Sequence, residues 1–433
     1  MAKYISVALC CFLLAASTFG KSEKNKIQKS IHTFPSIGIV SDAPNDCPFE
    51  RSKDFEGLIF TGKCATYTAA DTWYPSWASD GHMYSPWTDG YLWRYRCASF
   101  LNAKGYKAHT AQAKIIGNDP MNLKIENLGK CPGPSEPYGG RYPSASLIHN
   151  GVWYYGTYCL DWEPKGYHWG TLGPFVGFRT SKDFGKTWTE TKWTPEKSIF
   201  GETGKNGSRV KIGAPHFVDF GKNMEHSPDG KAYLVAHGGG VAEPNVRPAD
   251  VSWINGDQVY LIRVTPSLET INDPNAYEFF AGRDKNNKPL WSRNFADIQP
   301  LVEWNNNCGC VTVTYNPVLK RYWMCVTEGY PKVMDAFPEM NTWIAEAEDI
   351  TGPWKLATYM PKFGQQAYFM NFPSKFIQKD GRTAWLCYSN NYTADHKVLP
   401  PGAYAMTLHE IIFADKETFD NHQKKVKEET ILE

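Results

Sequence analysis

Apolar and polar positions along this chain alternate in short runs, and no long stretch repeats at the helical period. A short unit recurs instead: a polar turn, often with glycine, followed by an aromatic-rich strand. Instances are Asp80-Gly-His-Met-Tyr84, Asn150-Gly-Val-Trp-Tyr-Tyr155, Asp229-Gly-Lys-Ala-Tyr-Leu-Val235, Lys320-Arg-Tyr-Trp-Met-Cys325 and Asp380-Gly-Arg-Thr-Ala-Trp-Leu386. A strand is expected before most of them, as at 144–149, 216–220, 311–315 and 374–378. Another is expected after them, as at 176–180, 258–264, 342–347 and 404–408. Strand–turn–strand repetition with a period of about sixty to ninety residues reads as an all-β, single-domain β-propeller of four-stranded blades. Five units are countable, and the chain before Asp71 and between Gly282 and Val311 leaves room for more. No Pro/Ser-rich linker divides the chain.

Residues 181 to 188 read Ser-Lys-Asp-Phe-Gly-Lys-Thr-Trp. The pattern Ser-x-Asp-x-Gly-x-Thr-Trp resembles the Asp-box, the turn that joins the outer strands of a blade in sialidase-like propellers. Ser181 and Asp183 are placed to bond nearby backbone amides, Gly185 to take a backbone conformation costly for other residues, and Trp188 to anchor the turn. The motif marks an architecture, not a reaction.

The N-terminus changes the picture of where the chain works. Lys3, the apolar run 4–16 and the small residues Ala15-Ala16-Ser17 have the form of a secretory signal peptide over residues 1–20. The apolar run is too short to span a bilayer. A flexible lead-in over residues 21–35 and one catalytic propeller over 36–433 are expected to follow, secreted or periplasmic and monomeric. A net charge of +1 offers no electrostatic case for nucleic acid or an anionic membrane. Nine cysteines lie beyond the signal, an odd number for which disulfides are the default in an exported chain. Cys308, Cys310 and Cys325 form a cluster suited to two ordinary disulfides or to thiolate ligation of zinc; any metal in this chain, zinc or calcium, is expected to be structural. No cofactor is required for the chemistry considered below. Aromatic residues make up 15% of the chain, and they suit both a β-rich core and sugar-stacking platforms; Trp73, Trp77 and Trp87 are the platform candidates.

Ligands bind propellers at the mouth of the central channel, which favours residues on first strands. His216 follows Pro215 at one strand start, and His237 precedes Gly238-Gly239-Gly240, a pair suited to acid–base work. Tyr277 and Arg293 come next, Arg being suited to a bidentate grip on carboxylate. Arg, His and Tyr together meet the needs of β-elimination on a uronic acid: charge neutralisation, a base for the C5 proton and an acid for the departing O4. The order of these residues resembles the propeller-fold ulvan lyases and related rhamnosyl-glucuronate lyases. The phrase Ala70-Asp-Thr-Trp-Tyr-Pro-Ser-Trp-Ala-Ser-Asp-Gly-His-Met-Tyr-Ser-Pro-Trp-Thr-Asp-Gly90 is similar to the first-blade region of such proteins. That resemblance implies seven blades, a uronic-acid-containing polysaccharide as partner, Arg293 on the carboxylate, His216 or His237 as base and Tyr277 as acid.

Two other readings stand beside it. Five-bladed arabinan- and xylan-cleaving hydrolases carry phrases similar to Ile350-Thr-Gly-Pro-Trp354 and His226-Ser-Pro-Asp-Gly230, and need paired carboxylates. Asp71, Asp89, Asp161, Asp219 and Glu243 are the candidates. Sialidases are disfavoured because no Arg-Ile-Pro motif is present. A non-catalytic carbohydrate-binding propeller would repeat one aromatic pocket in every blade, and His-Gly-Gly-Gly occurs in one only.

Overall fold

The computed structural model describes residues 29–100, 107–161, 170–240, 251–330, 339–391 and 398–432. The signal segment and Glu243 lie outside these residues. Five antiparallel sheets form the five blades of a propeller. The first is built on Ala69–Asp71 with Ser76–Trp77, Met83–Leu92, His109–Ile116 and Lys124–Pro132. The second holds Gly140–His149, Val152–Asp161 and Thr171–Ser181. The third runs from His216–Phe217 through Ala232–Gly238, Gln258–Val264 and Glu278–Arg283 to Pro289–Ser292. The fourth is Cys310–Asn316, Arg321–Gly329, Met340–Ala347 and Lys355–Met360. The fifth takes Tyr368–Asn371, Thr383–Ser389 and Met406–Ala414 from the end of the chain, and Gly57–Tyr67 from its beginning.

The blade count is therefore the five read from the repeat, not the seven implied by the lyase resemblance. The two intervals that left room for more are absorbed: Gly57–Tyr67 completes the fifth blade, while Pro289–Ser292 and Val302–Glu303 extend the third. Part of the expected lead-in is ordered, since Lys29–Thr33 pairs with Lys63–Tyr67. The strand expected at 374–378 is a turn of 3-10 helix at Ser374–Phe376, and the inner strand of that blade is Tyr368–Asn371. The helix Lys416–Leu432 escaped the periodicity because its sequence is mostly polar. Its Phe419 packs on Ile59 and Ala414.

Blade faces are sealed against each other by aromatic side chains. Gly140–His149 is buried at nine consecutive positions, as expected of a strand covered on both faces. Trp323 of the fourth blade stacks on Phe413 of the fifth at 4.1 Å between ring centroids. Arg179 of the second blade is buried against the first, donating to Thr110 Oγ1 at 2.9 Å and to the Pro132 carbonyl at 3.2 Å. The Asp-box forms as read. Ser181 Oγ accepts from the Gly185 amide, Asp183 Oδ1 accepts from the Lys186 and Thr187 amides, and Gly185 has a φ of 87°. Trp188 packs on Trp153 and Tyr155. Thr180 and Thr189 close the turn by exchanging both backbone bonds.

The expectation of disulfides is corrected: all nine cysteines are free, and eight of them are buried. Seven of them sit on separate strands and Cys47 and Cys308 lie outside strands; the buried ones fill space as small hydrophobes. Trp323→Ala is expected to cost about 3–5 kcal/mol through the void it leaves between blades, read as a lowered denaturant midpoint at unchanged slope.

Candidate functional site

The starts of the five innermost strands bring Asp71, Tyr142, His216, Cys310 and Tyr368 towards one end of the channel. Asp71 is the carboxylate among them. Its side chain is buried, with Oδ1 accepting from Thr72 Oγ1 at 2.9 Å and Oδ2 accepting from the hydroxyls of Tyr368 at 3.0 Å and Tyr404 at 3.1 Å. Tyr404 also donates to the backbone carbonyl of Asp89.

Asp89 reaches the same place through a defect in the ladder. Ala69 pairs with Tyr91 while Asp71 pairs with Thr88, so Asp89 and Gly90 carry one extra residue on their strand. Such a bulge re-aims a side chain. Asp89 takes a φ of 46°, and a Cβ on Gly90 would lie 2.1 Å from the Ala69 carbonyl oxygen, so only glycine fits beside the inner strand. Asp89 Oδ1 then accepts from the Ser99 amide at 2.7 Å. A second bulge lies between Tyr368 and Asn371, with Phe369 at a φ of 58°. Thr72, a β-branched residue, has a φ of 67°. Left-handed backbone at such residues costs of order 1–3 kcal/mol each and persists where its surroundings over-determine it.

Burial raises the Asp71 carboxyl well above the ordinary range, and the Asp89 charge raises it further; the bonds from Thr72, Tyr368 and Tyr404 oppose this. Burial pushes Asp89 up to about 6, against the bonds from Ser99 and Thr88 and the charge of Arg96. Burial favours the protonated form of each carboxyl, the charge of Asp89 adds to this at Asp71, and the two titrate as a pair.

The four residues of the eliminative reading are not gathered. His216 and His237 are neighbours on the first two strands of the third blade, both buried. His216 stacks on Tyr74 with ring centroids 3.9 Å apart. His237 Nε2 bonds the Ser252 carbonyl oxygen at 2.7 Å. Tyr277 is fully buried at the start of the fourth strand, its hydroxyl donating to the Ile271 carbonyl at 2.7 Å. Arg293 is exposed just beyond the fifth strand. Three strand spacings separate the first strand from the fourth, about 14 Å. Trp73 and Trp87 are buried and stacked on each other, with Trp77 packed against the same cluster, so all three are core of the first blade and not platforms.

Cys308 Sγ donates to the Trp304 carbonyl, Cys310 Sγ to the Trp253 carbonyl, and Cys325 packs in a separate apolar cluster. Among the described residues no group of three or more His, Cys, Asp or Glu is placed to hold a metal ion. Of the other carboxylates, Asp161 pairs with Lys205. Asp219 lies past the far end of its inner strand, bound by the Ser374 amide and hydroxyl. A cavity of about 40 Å³ beside it reaches Tyr74, His216 and Thr314 but not Asp71. Both members of the carboxylate pair lie inside the phrase 70–90. Tyr368 and Tyr404, which complete the site, have no sequence signal because they arrive from the other end of the chain.

No family model matches this chain, and no curated protein matches it. Solved structures similar to it include a GH43_1 enzyme from Xanthomonas citri complexed with xylotriose, at 15% identity and a TM-score of 0.42 over 80% of this chain and 87% of that one. An endo-arabinase from Bacteroides thetaiotaomicron shows 10% identity and a TM-score of 0.39 over 81% and 98%. A levansucrase variant from B. megaterium shows 11% identity and a TM-score of 0.42 over 93% and 92%.

Burial depresses His216 to about 3, helped by His237, and depresses His237 to about 4 against its bond to the Ser252 carbonyl. An unfolded chain binds these protons below the ordinary value of 6.5 and the folded chain does not, so acid favours unfolding here. His216→Phe is expected to gain stability relative to the parent as pH falls from 6.5 towards 3, measured as the difference between their melting temperatures across pH. A constant difference would show that His216 is protonated in the fold.

Proposed function

We propose that this protein is a glycoside hydrolase acting on a polysaccharide, with Asp71 and Asp89 as its carboxylate pair. The observation that carries the reading is the pair of electrostatically linked carboxyls at the inner edge of the first blade: the Tyr368 and Tyr404 hydroxyls hold the Asp71 carboxylate, and the Ser99 amide holds that of Asp89. Glycoside hydrolysis needs one carboxyl that keeps its proton and one that has lost it, and environments that push two such groups apart assign their roles. Asp71, whose carboxyl is raised by burial and by the Asp89 charge, is assigned as the acid that protonates the departing glycosidic oxygen. Asp89 is the carboxylate that takes the opposing role, drawing a proton from water or attacking the sugar carbon. Tyr368 and Tyr404 orient Asp71. The secretory form of residues 1–20 supports an exported enzyme working on a polymer outside the cell.

The reading is tested by incubating the protein with arabinan, xylan and a glucuronate-containing polysaccharide. Reducing ends are expected without ultraviolet-absorbing unsaturated ends, and Asp71→Asn should lower the rate by about 10²-fold or more. Unsaturated ends, or full activity in Asp71→Asn, would overturn it. The charge on Asp89 raises the Asp71 carboxyl, so its removal lets that proton leave sooner. Whatever activity Asp89→Asn retains should lose its alkaline limb at lower pH than the parent, as read from the pH–rate profile.

A further inference from the structure

The strand that carries Asp89 does not stop at the channel. It runs on into a hairpin in which Gly90 pairs with Cys97, Tyr91 with Arg96 and Leu92 with Tyr95. Leu92 and Cys97 are buried and root the hairpin in the first blade. Everything else on it faces solvent: Trp93 and Tyr95 are each 62% exposed and Tyr91 is 36% exposed, with Arg94 and Arg96 exposed between them. Single exposed aromatics are ordinary, but three within five residues concentrate rings on one hairpin, Tyr91 beside Arg96 on one face and Tyr95 opposite Leu92 on the other. Trp93 sits at the turn with a φ of 58°, a conformation that a bulky residue adopts at a cost.

Charge decides what the patch fits. Arg94 and Arg96 flank the rings, and exposed Lys130 adds a third cation through its bond to the Arg96 carbonyl. Asp89, already engaged with Ser99, is the carboxylate that the electrostatics of this stretch connect to Arg96. Aromatic faces accept the apolar side of a sugar ring, and guanidinium forks accept carboxylate or sulfate. Thr88 stands opposite Asp71, and Trp93 follows it by five residues, about 17 Å of strand. That is the reach of a short oligosaccharide leading away from the carboxylate pair.

We propose that the Tyr91–Arg96 hairpin is an extended subsite for an acidic saccharide, one bearing uronate or sulfate groups. It would bind the substrate polymer beyond the point of cleavage. The proposal rests on the hydrolase reading for its direction from Asp71, and it specifies a substrate class which that reading leaves open.

The test is binding by the full chain to polygalacturonate, to neutral arabinan and to vesicles of phosphatidylcholine with phosphatidylserine. Three proteins are compared: the parent, Trp93→Ala with Tyr95→Ala, and Arg94→Gln with Arg96→Gln. The parent should prefer polygalacturonate. The aromatic variant should bind it about tenfold more weakly, the loss of roughly one stacked ring. The arginine variant should lose the preference for acidic over neutral polymer and show a flatter salt dependence. Equal binding by all three proteins would overturn the subsite, as would a hairpin-dependent affinity for vesicles in place of polymer. Binding is also measured with Asp71→Asn. If that variant and the parent both bind through the hairpin while no polymer is cleaved, the hydrolase reading fails and the subsite stands. If cleavage proceeds and the hairpin variants bind as the parent does, the reverse holds.

Discussion

The backbone ladder between Gly57–Tyr67 and Met406–Ala414 is the constraint on which the molecule depends. It joins the two ends of the chain in one sheet and turns an open row of blades into a ring. An unclosed row would leave two bare strand edges, each a template for unwanted pairing. The ladder also builds the site. Asp71 lies four residues beyond Tyr67, and Tyr404 lies two before Met406, so the two sides of the Tyr404–Asp71 bond leave the same ladder together. Chain closure and carboxylate burial are one arrangement. The helix Lys416–Leu432 then lies over this sheet and shields it through Phe419.

A buried carboxyl pair is costly, and the surrounding backbone shows how it is held. Two bulges, at Asp89-Gly90 and around Phe369, flank Asp71 from the strands beside it. Thr68, Thr72, Asp89 and Phe369 all have left-handed backbone within this small region. Each departs from the regular ladder to place a side chain that a straight strand would point elsewhere. Of the other inner strands, Cys310–Asn316 pairs without a break, while Gly140–His149 has a bulge of its own between Pro143 and Ser146.

Legibility in the sequence followed the range of the interactions. The Asp-box could be read because the bonds that shape its turn run between residues 180 and 189. The blades could be read because a strand covered on both faces must be apolar along its length. The carboxylates could be read as candidates but not ranked, since what distinguishes Asp71 from Asp161 or Asp219 is Tyr368 and Tyr404, some three hundred residues away. The succession His216, His237, Tyr277, Arg293 misled because order along a meander is also distance from the channel: each step outward adds a strand. Trp73, Trp77 and Trp87 misled because an aromatic that packs two blades together and one that receives a sugar look alike until burial is known. The cysteines misled because their spacing says nothing of seven of them being on separate strands.

The Asp-box turn does more than end a blade. Phe184 stacks on Tyr84 of the first blade at 5.3 Å, and the Gly185 carbonyl accepts from Gln112 of that blade at 3.5 Å. The turn is thus a rivet at the rim, between blades whose inner edges already meet at the channel. A ring fastened at both its hub and its rim behaves as a hoop. At that seam the first two blades are tied far from the channel as well as beside it, so a force that would splay them must break contacts at both radii.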